Sequence, residues 1–183
     1  MYIGDYLGRR AIYSPDSLAI VDAGKDPALR LTYTKMNERA NRLANWLRDE
    51  AGVRAGDRVA IFARDGVEHL DFFFACCKLG AIHTALNWRF HWRETADILQ
   101  RTTPRVFVFS DEFRESVALL QQDGHAASVR HYVHLEGDGV GGSAGLADIL
   151  AHSKATAVSN EAVDQETIAA LIFTGGTTGL PKA

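Results

Sequence analysis

The stretch best equipped for chemistry is FTGGTTGLPKA, residues 173–183. Gly175, Gly176 and Gly179 can take positive φ angles and let a ligand come close to the backbone. Their N–H groups can converge on the oxygens of a phosphate, with hydroxyl donors from Thr174, Thr177 and Thr178 and a point charge from Lys182. The same composition also suits a plain surface turn. The Walker phosphate loop, G-x-x-x-x-G-K-[ST], is not this pattern. Leu180 and Pro181 separate Gly179 from Lys182, no Ser or Thr follows the lysine, and Pro181 removes an N–H where a Walker loop enters its helix.

A loop of this kind needs a strand to present it, and IAALIF (168–173) reads as that strand. Upstream, short apolar runs alternate with helical patterns. Strands are expected at 58–63, 81–86, 105–110 and 129–135. Helices are expected at 67–79, 92–102 and 111–122, with a short one at 144–152. Such alternation predicts βαβ crossovers, and so an α/β fold with a largely parallel sheet and helices on both faces. Before it come a short helix in 3–13, a small hairpin from 18–23 and 29–33, and a long helix. Thr34 is the expected N-cap of that long helix, which places Met36, Ala40, Leu43, Ala44 and Leu47 on one face. Ligands of such sheets bind outside the carboxyl ends of the strands, which is where the 174–182 loop belongs.

FTGGTTGLPKA resembles the Gly/Thr/Ser-rich, Pro-Lys signature of adenylate-forming enzymes, the superfamily of acyl-CoA synthetases, aryl-CoA ligases, luciferases and peptide-synthetase adenylation domains. Thr174, Gly176, Thr177, Thr178, Gly179, Pro181 and Lys182 match it. Gly175 stands where the family usually has Ser, and Ala183 where Gly is common. LTYTKMNERANRLANWL (31–47), residues 52–89 and residues 95–109 resemble successive family blocks, with Asp65 in place of a frequent Asn and Ala85 in place of a frequent Pro. Residues 123–166 are the weakest part of the match. Asn87-Trp88-Arg89 leans towards acyl- or aryl-CoA ligases.

The resemblance implies an acid–thiol ligase that uses ATP, Mg2+ and coenzyme A. A carboxylic acid becomes an acyl-adenylate, and a thiol then displaces AMP. Thr174, Gly175, Gly176, Thr177, Thr178, Gly179 and Lys182 would grip the leaving phosphates. Residues 1–183 read as the N-terminal portion of the family's large domain. The adenine and ribose contacts, most of the acyl pocket and the C-terminal domain with its catalytic lysine would lie downstream. The 183 residues are therefore expected to have no ligase activity alone, and to self-associate, as a dimer, through apolar surface left uncovered. A non-catalytic binding module, or a phosphate-binding domain of other chemistry, stays open as the rival reading.

Composition bears on partners. The formal net charge of −3 supplies no global basic field for nucleic acid or anionic lipid. Adjacent Cys76 and Cys77 cannot staple a fold, and no stretch of about 18 apolar residues exists. A cytoplasmic protein is expected. Four other patterns carry chemical residues. NWRFHWR (87–93) interleaves aromatic and basic residues, but seven residues in an acidic chain fit a strand-to-helix junction or a domain contact better than nucleic acid. Gly137-x-Gly139-x-x-Gly142 matches the dinucleotide fingerprint in letters only, since acidic Glu136 and Asp138 flank it; a surface loop is expected. His131 and His134, three apart on a strand, point to opposite faces and cannot share a metal. Asp111, Glu112 and Glu115 read as a solvated helix start.

Overall fold

A computed structural model describes residues 5–137, 139 and 141–173. The chain begins with α1 (Tyr6–Tyr13), the antiparallel hairpin β1 (Leu18–Asp22) and β2 (Leu29–Thr32), and α2 (Tyr33–Asp49). The α/β body follows as β3 (Arg58–Phe62), α3 (Val67–Leu79), β4 (Ile82–Ala85), α4 (Trp92–Thr102) and β5 (Val106–Phe109). Next come α5 (Arg114–Gln122), β6 (His131–His134), β7 (Ala144–Gly145), α6 (Leu146–His152) and β8 (Ala170–Ile172).

The six strands of the body form one sheet in the order β7-β6-β5-β3-β4-β8, and every neighbouring pair is parallel. The predicted architecture is therefore present, with the small hairpin beside it. Successive strand residues point to opposite faces. Val59, Ile61, Val106 and Val108 pack against Leu43 and Leu47 of α2, Phe72 and Cys76 of α3, and Leu146 and Ile149 of α6. Their neighbours Ala60, Phe62, Phe107 and Phe109 face Ile98 and Leu99 of α4 and Val117 and Leu120 of α5. With both faces covered, the strands read as unbroken apolar runs rather than alternating ones.

Three local details differ from the sequence expectation. The N-cap of α2 is Thr32, whose hydroxyl accepts a hydrogen bond from the Lys35 N–H at 3.3 Å, whereas Thr34 lies inside the first turn. Strand β2 runs straight into the helix, so the cap falls on the strand's last residue. The region 111–122 splits into a 3-10 turn at Asp111–Phe113 and then α5. The region 144–152 gives up its first two residues to β7 before α6 begins.

The connection from α6 to β8 crosses from one end of the sheet to the other, and buried asparagines hold it down. Asn45 Nδ2 donates to the carbonyls of Lys154 and Thr156, both at 2.9 Å, and Asn41 Nδ2 to that of Ala155 at 3.3 Å. Further on, Asn160 Nδ2 donates to the Leu79 carbonyl at 2.9 Å. A polar group buried on a helix face costs free energy unless paired, and here the pairing fixes the route of the chain.

Candidate functional site

The chain order first reverses between β4 and β5. From β3, α3 carries it outward to β4. From β4, α4 carries it back past β3 to β5 on the other side, along the opposite face. Doubly wound sheets bind ligands at such a point, outside the carboxyl ends of the strands. The residues leaving those ends are Ala63 to Gly66 after β3, Leu86 to Trp88 after β4, Ser110 and Asp111 after β5, and Leu135 and Glu136 after β6.

Strand β8 adds the far edge. It lies parallel to β4, with His83 opposite Ala170 and Ala85 opposite Ile172. Phe173 follows it, buried among the residues packed with α4 and α5. Thr174, Gly175, Gly176, Thr177, Thr178, Gly179 and Lys182 lie outside the described residues. The described chain thus ends at the carboxyl edge, beside the exit of β4.

That exit carries a guanidinium–indole cluster. The Arg64 Cζ lies 4.2 Å from the Trp88 ring centroid and the Arg89 Cζ 4.0 Å from it. Glu112 orients Arg64 from the next loop, accepting from its Nε at 2.8 and 3.0 Å. Arg93 stacks on Trp92 in the same way at 4.7 Å. NWRFHWR is thus a strand-to-helix junction with Phe90 and Trp92 packed inward. Its His91 caps α4: Nδ1 accepts from the Arg93 N–H at 3.3 Å, while Glu94 accepts from the His91 N–H at 2.8 Å. Stacking holds both guanidinium groups of Arg64 and Arg89 near the exits of β3 and β4, where a polyanion would need them.

His131 and His134 do face opposite sides. The first meets Trp46 edge-on at 6.2 Å, and the second lies against Phe109 at 5.2 Å. Sequence reading missed one contact. The His134 Nε2 comes within 3.2 Å of Asp111 Oδ1 and 3.6 Å of Glu136 Oε2, because parallel pairing sets the ends of β5 and β6 side by side. Arg114 closes on the same Asp111 carboxylate. Asp111 is therefore more than a solvated helix start. Among the described residues no set of three His, Cys, Asp or Glu side chains converges as a metal site. Gly137, Gly139 and Gly142 all take positive φ, at 69°, 90° and 85°, in a loop that leads to β7 rather than directly into a helix.

Against known proteins, residues 7–183 match the model of the family described as AMP-binding enzyme. The chain belongs to that family. It is 29% identical over 174 residues to a crotonobetaine/carnitine–CoA ligase of Salmonella paratyphi A, covering 93% of this chain and 33% of the relative. It is 30% identical over 176 residues to the fatty acid–[acyl-carrier-protein] ligase ScoC of Streptomyces coeruleorubidus, covering 94% and 30%. The crystal structure of the anthranilate CoA ligase AuaEII in complex with anthranoyl-AMP superimposes with a TM-score of 0.87 at 25% identity, covering 97% of this chain and 33% of that one. The AMP-binding chain thus spans about a third of the length of these relatives. No helix among its described residues is long and apolar enough to cross a membrane.

Proposed function

We propose that the chain is the N-terminal part of an ATP-dependent acid–thiol ligase. In the first step an oxygen of the substrate carboxylate attacks the α-phosphorus of Mg-ATP. The bond to the bridging oxygen breaks, leaving an acyl-adenylate and pyrophosphate. In the second, a thiol attacks the acyl carbon, AMP departs and a thioester forms. Coenzyme A is the thiol favoured by the Asn87-Trp88-Arg89 form of the β4 exit. The first step asks the protein to neutralise charge and hold the reactants in line more than to supply a nucleophile.

The observation that carries this reading is the family match, which runs through to residue 183 and so includes 174–182. The fold supports it: β8 brings the chain to the carboxyl edge beside β4, where Arg64 and Arg89 are held on Trp88. In this reading the backbone of Gly175, Gly176 and Gly179 and the hydroxyls of Thr174, Thr177 and Thr178 receive the β- and γ-phosphates, with Lys182 neutralising charge as pyrophosphate leaves. The setting is the cytoplasm.

The 183 residues alone catalyse neither step in this proposal, and they self-associate through the edge of β8, where Ile168 and Ile172 stand exposed. The experiment is pyrophosphate release from ATP by the full-length protein on a panel of aliphatic and aromatic carboxylic acids, with the 183-residue chain alongside. Activation of at least one acid by the full-length protein, and none by the short chain, is the expected result. Absence of acid-dependent pyrophosphate release across the panel would overturn the ligase reading. Sedimentation of the short chain as a monomer at high concentration would remove the association.

A further inference from the structure

The reversal point between β3 and β5 contains a cleft of about 200 Å3. Its wall is unbalanced in charge. Asp22, Asp65, Glu68, Glu112 and Glu136 face it with only Lys25 and Arg64 in opposition. Both cations are already engaged: Lys25 Nζ is 2.7 Å from Glu68 Oε1, and Arg64 grips Glu112. Asp22 accepts from the N–H groups of Gly24 and Val67 at 3.0 and 3.1 Å, and Glu136 from that of Asp111 at 2.8 Å. Asp65 has no hydrogen-bond or ion-pair partner among the described residues.

Beneath these carboxylates lies a buried group with nothing to bond. Ser110 lines the cleft at 7% exposure, and its Oγ has no hydrogen-bond partner among the described residues. His134, 3% exposed, sets its Nε2 3.2 Å from Asp111 Oδ1 and 3.6 Å from Glu136 Oε2. A buried polar group left without a partner costs about 1–3 kcal/mol. The vacant positions in the wall, the Asp65 carboxylate and the Ser110 hydroxyl oxygen, can each accept from a donor.

We propose that this cleft binds a small organic cation through a primary ammonium group. Three N–H donors on one positive centre answer the excess of carboxylates and the unpartnered Ser110 together. A bare metal ion fits less well, because no three ligating side chains converge there. The inference uses residues of β1, α3 and the exits of β3, β5 and β6 rather than 174–182, and it is read by ligand binding rather than by ligase turnover.

The test is an amide NMR titration of the chain with butylammonium, tetramethylammonium and magnesium chlorides in parallel. Butylammonium is expected to give saturable shifts at Ser110, Asp111 and Glu136. Tetramethylammonium, equal in charge but without N–H donors, should bind about tenfold more weakly. Glu136→Gln should weaken butylammonium about tenfold and Ser110→Ala about threefold, while Glu38→Gln on the far surface of α2 leaves it unchanged. If Glu136→Gln fails to fold, Asp65→Asn takes its place, with about threefold weakening expected. Equal binding of the two ammonium ions, the same shift pattern with magnesium, or undiminished binding to the folded acid-to-amide variant would each overturn the proposal.

Discussion

Arg39 grips both oxygens of Asp71, its Nε lying 3.1 Å from each and its Nη2 2.5 Å from Oδ2, and so ties α2 to α3. Asp71 is fully buried. Burial pushes its carboxyl up to about 6, while the Arg39 hydrogen bonds pull the other way. A carboxyl whose folded pKa lies above its unfolded value, near 3.9, contributes stability below that value and loses it as pH rises through about 6. The wild type should therefore lose stability relative to Asp71→Asn between pH 4.5 and 7.5, by an amount on the order of 2–3 kcal/mol. Urea unfolding of both proteins at each pH measures the difference. A trend of opposite sign would mean that the guanidinium outweighs burial.

Lys78 ends α3 almost fully buried, its ammonium 2.5 Å from the Asp5 carboxylate that also caps α1 through the Gly8 N–H. Lys78→Ala leaves that carboxylate without its cation and opens a cavity, at a cost of about 3 kcal/mol or more. Lys78→Met keeps the volume and should cost less. Denaturant midpoints rank the two variants, and faster proteolysis within α1 should accompany the larger loss.

Gly80 closes α3 in the left-handed region at φ 72°, and an added Cβ there would lie 3.0 Å from Val163 Cγ2 and 3.2 Å from Asn160 Nδ2. Gly80→Ala should cost about 1–3 kcal/mol through backbone conformation and crowding of the 160–163 segment. A thermal melt reads the loss. Gly56, also left-handed but with nothing near its Cβ position, isolates the conformational part.

Burial pushes the Cys77 thiol up to about 11 and drives that of Cys76 higher still. Thiolate, the reactive form, is scarce at both positions near neutral pH. A chromogenic disulfide reagent at pH 8 should label neither cysteine in the folded chain within the time it labels both in denaturant.

In the proposed ligase, the phosphate grip and its departure from the family pattern can be tested together. Lys182→Ala in the full-length protein should lower kcat/KM for pyrophosphate release about a hundredfold, as removal of a charged transition-state contact does. Gly175→Ser restores the hydroxyl common in the family and should lower the KM for ATP about threefold to tenfold, the worth of one hydrogen bond. Initial rates across ATP concentrations distinguish the two effects.

Much of this architecture is legible in the chain. Glycines 66 and 80 bracket α3, and its bounds at Val67–Leu79 match the sequence reading to the residue, as do those of α4 at Trp92–Thr102. Met36, Ala40, Leu43, Ala44 and Leu47 are all buried, as their spacing predicts. β7 escaped because two residues, Ala144 and Gly145, carry no periodicity. The loop 174–182 announces itself by local composition. Arg64, Trp88 and Glu112 do not, because they come from three separate connections that only the sheet brings together. The approach of His134 to Asp111 was invisible for the same reason, being fixed by strand register across 23 positions.

The long crossover pinned by Asn41 and Asn45 sets the order of assembly. β8 closes against β4 from 87 positions further along the chain, with His83 opposite Ala170 and Ala85 opposite Ile172, so it bears a heavier loop-closure entropy than any neighbouring pair formed earlier. The central strands can zip first from nearer partners. The asparagine hydrogen bonds shorten the free tether before β8, which lowers that closure cost once they form. In the proposed ligase, the residues assigned to the phosphates follow the strand with the longest closure, so nucleotide binding waits on the far edge of the sheet.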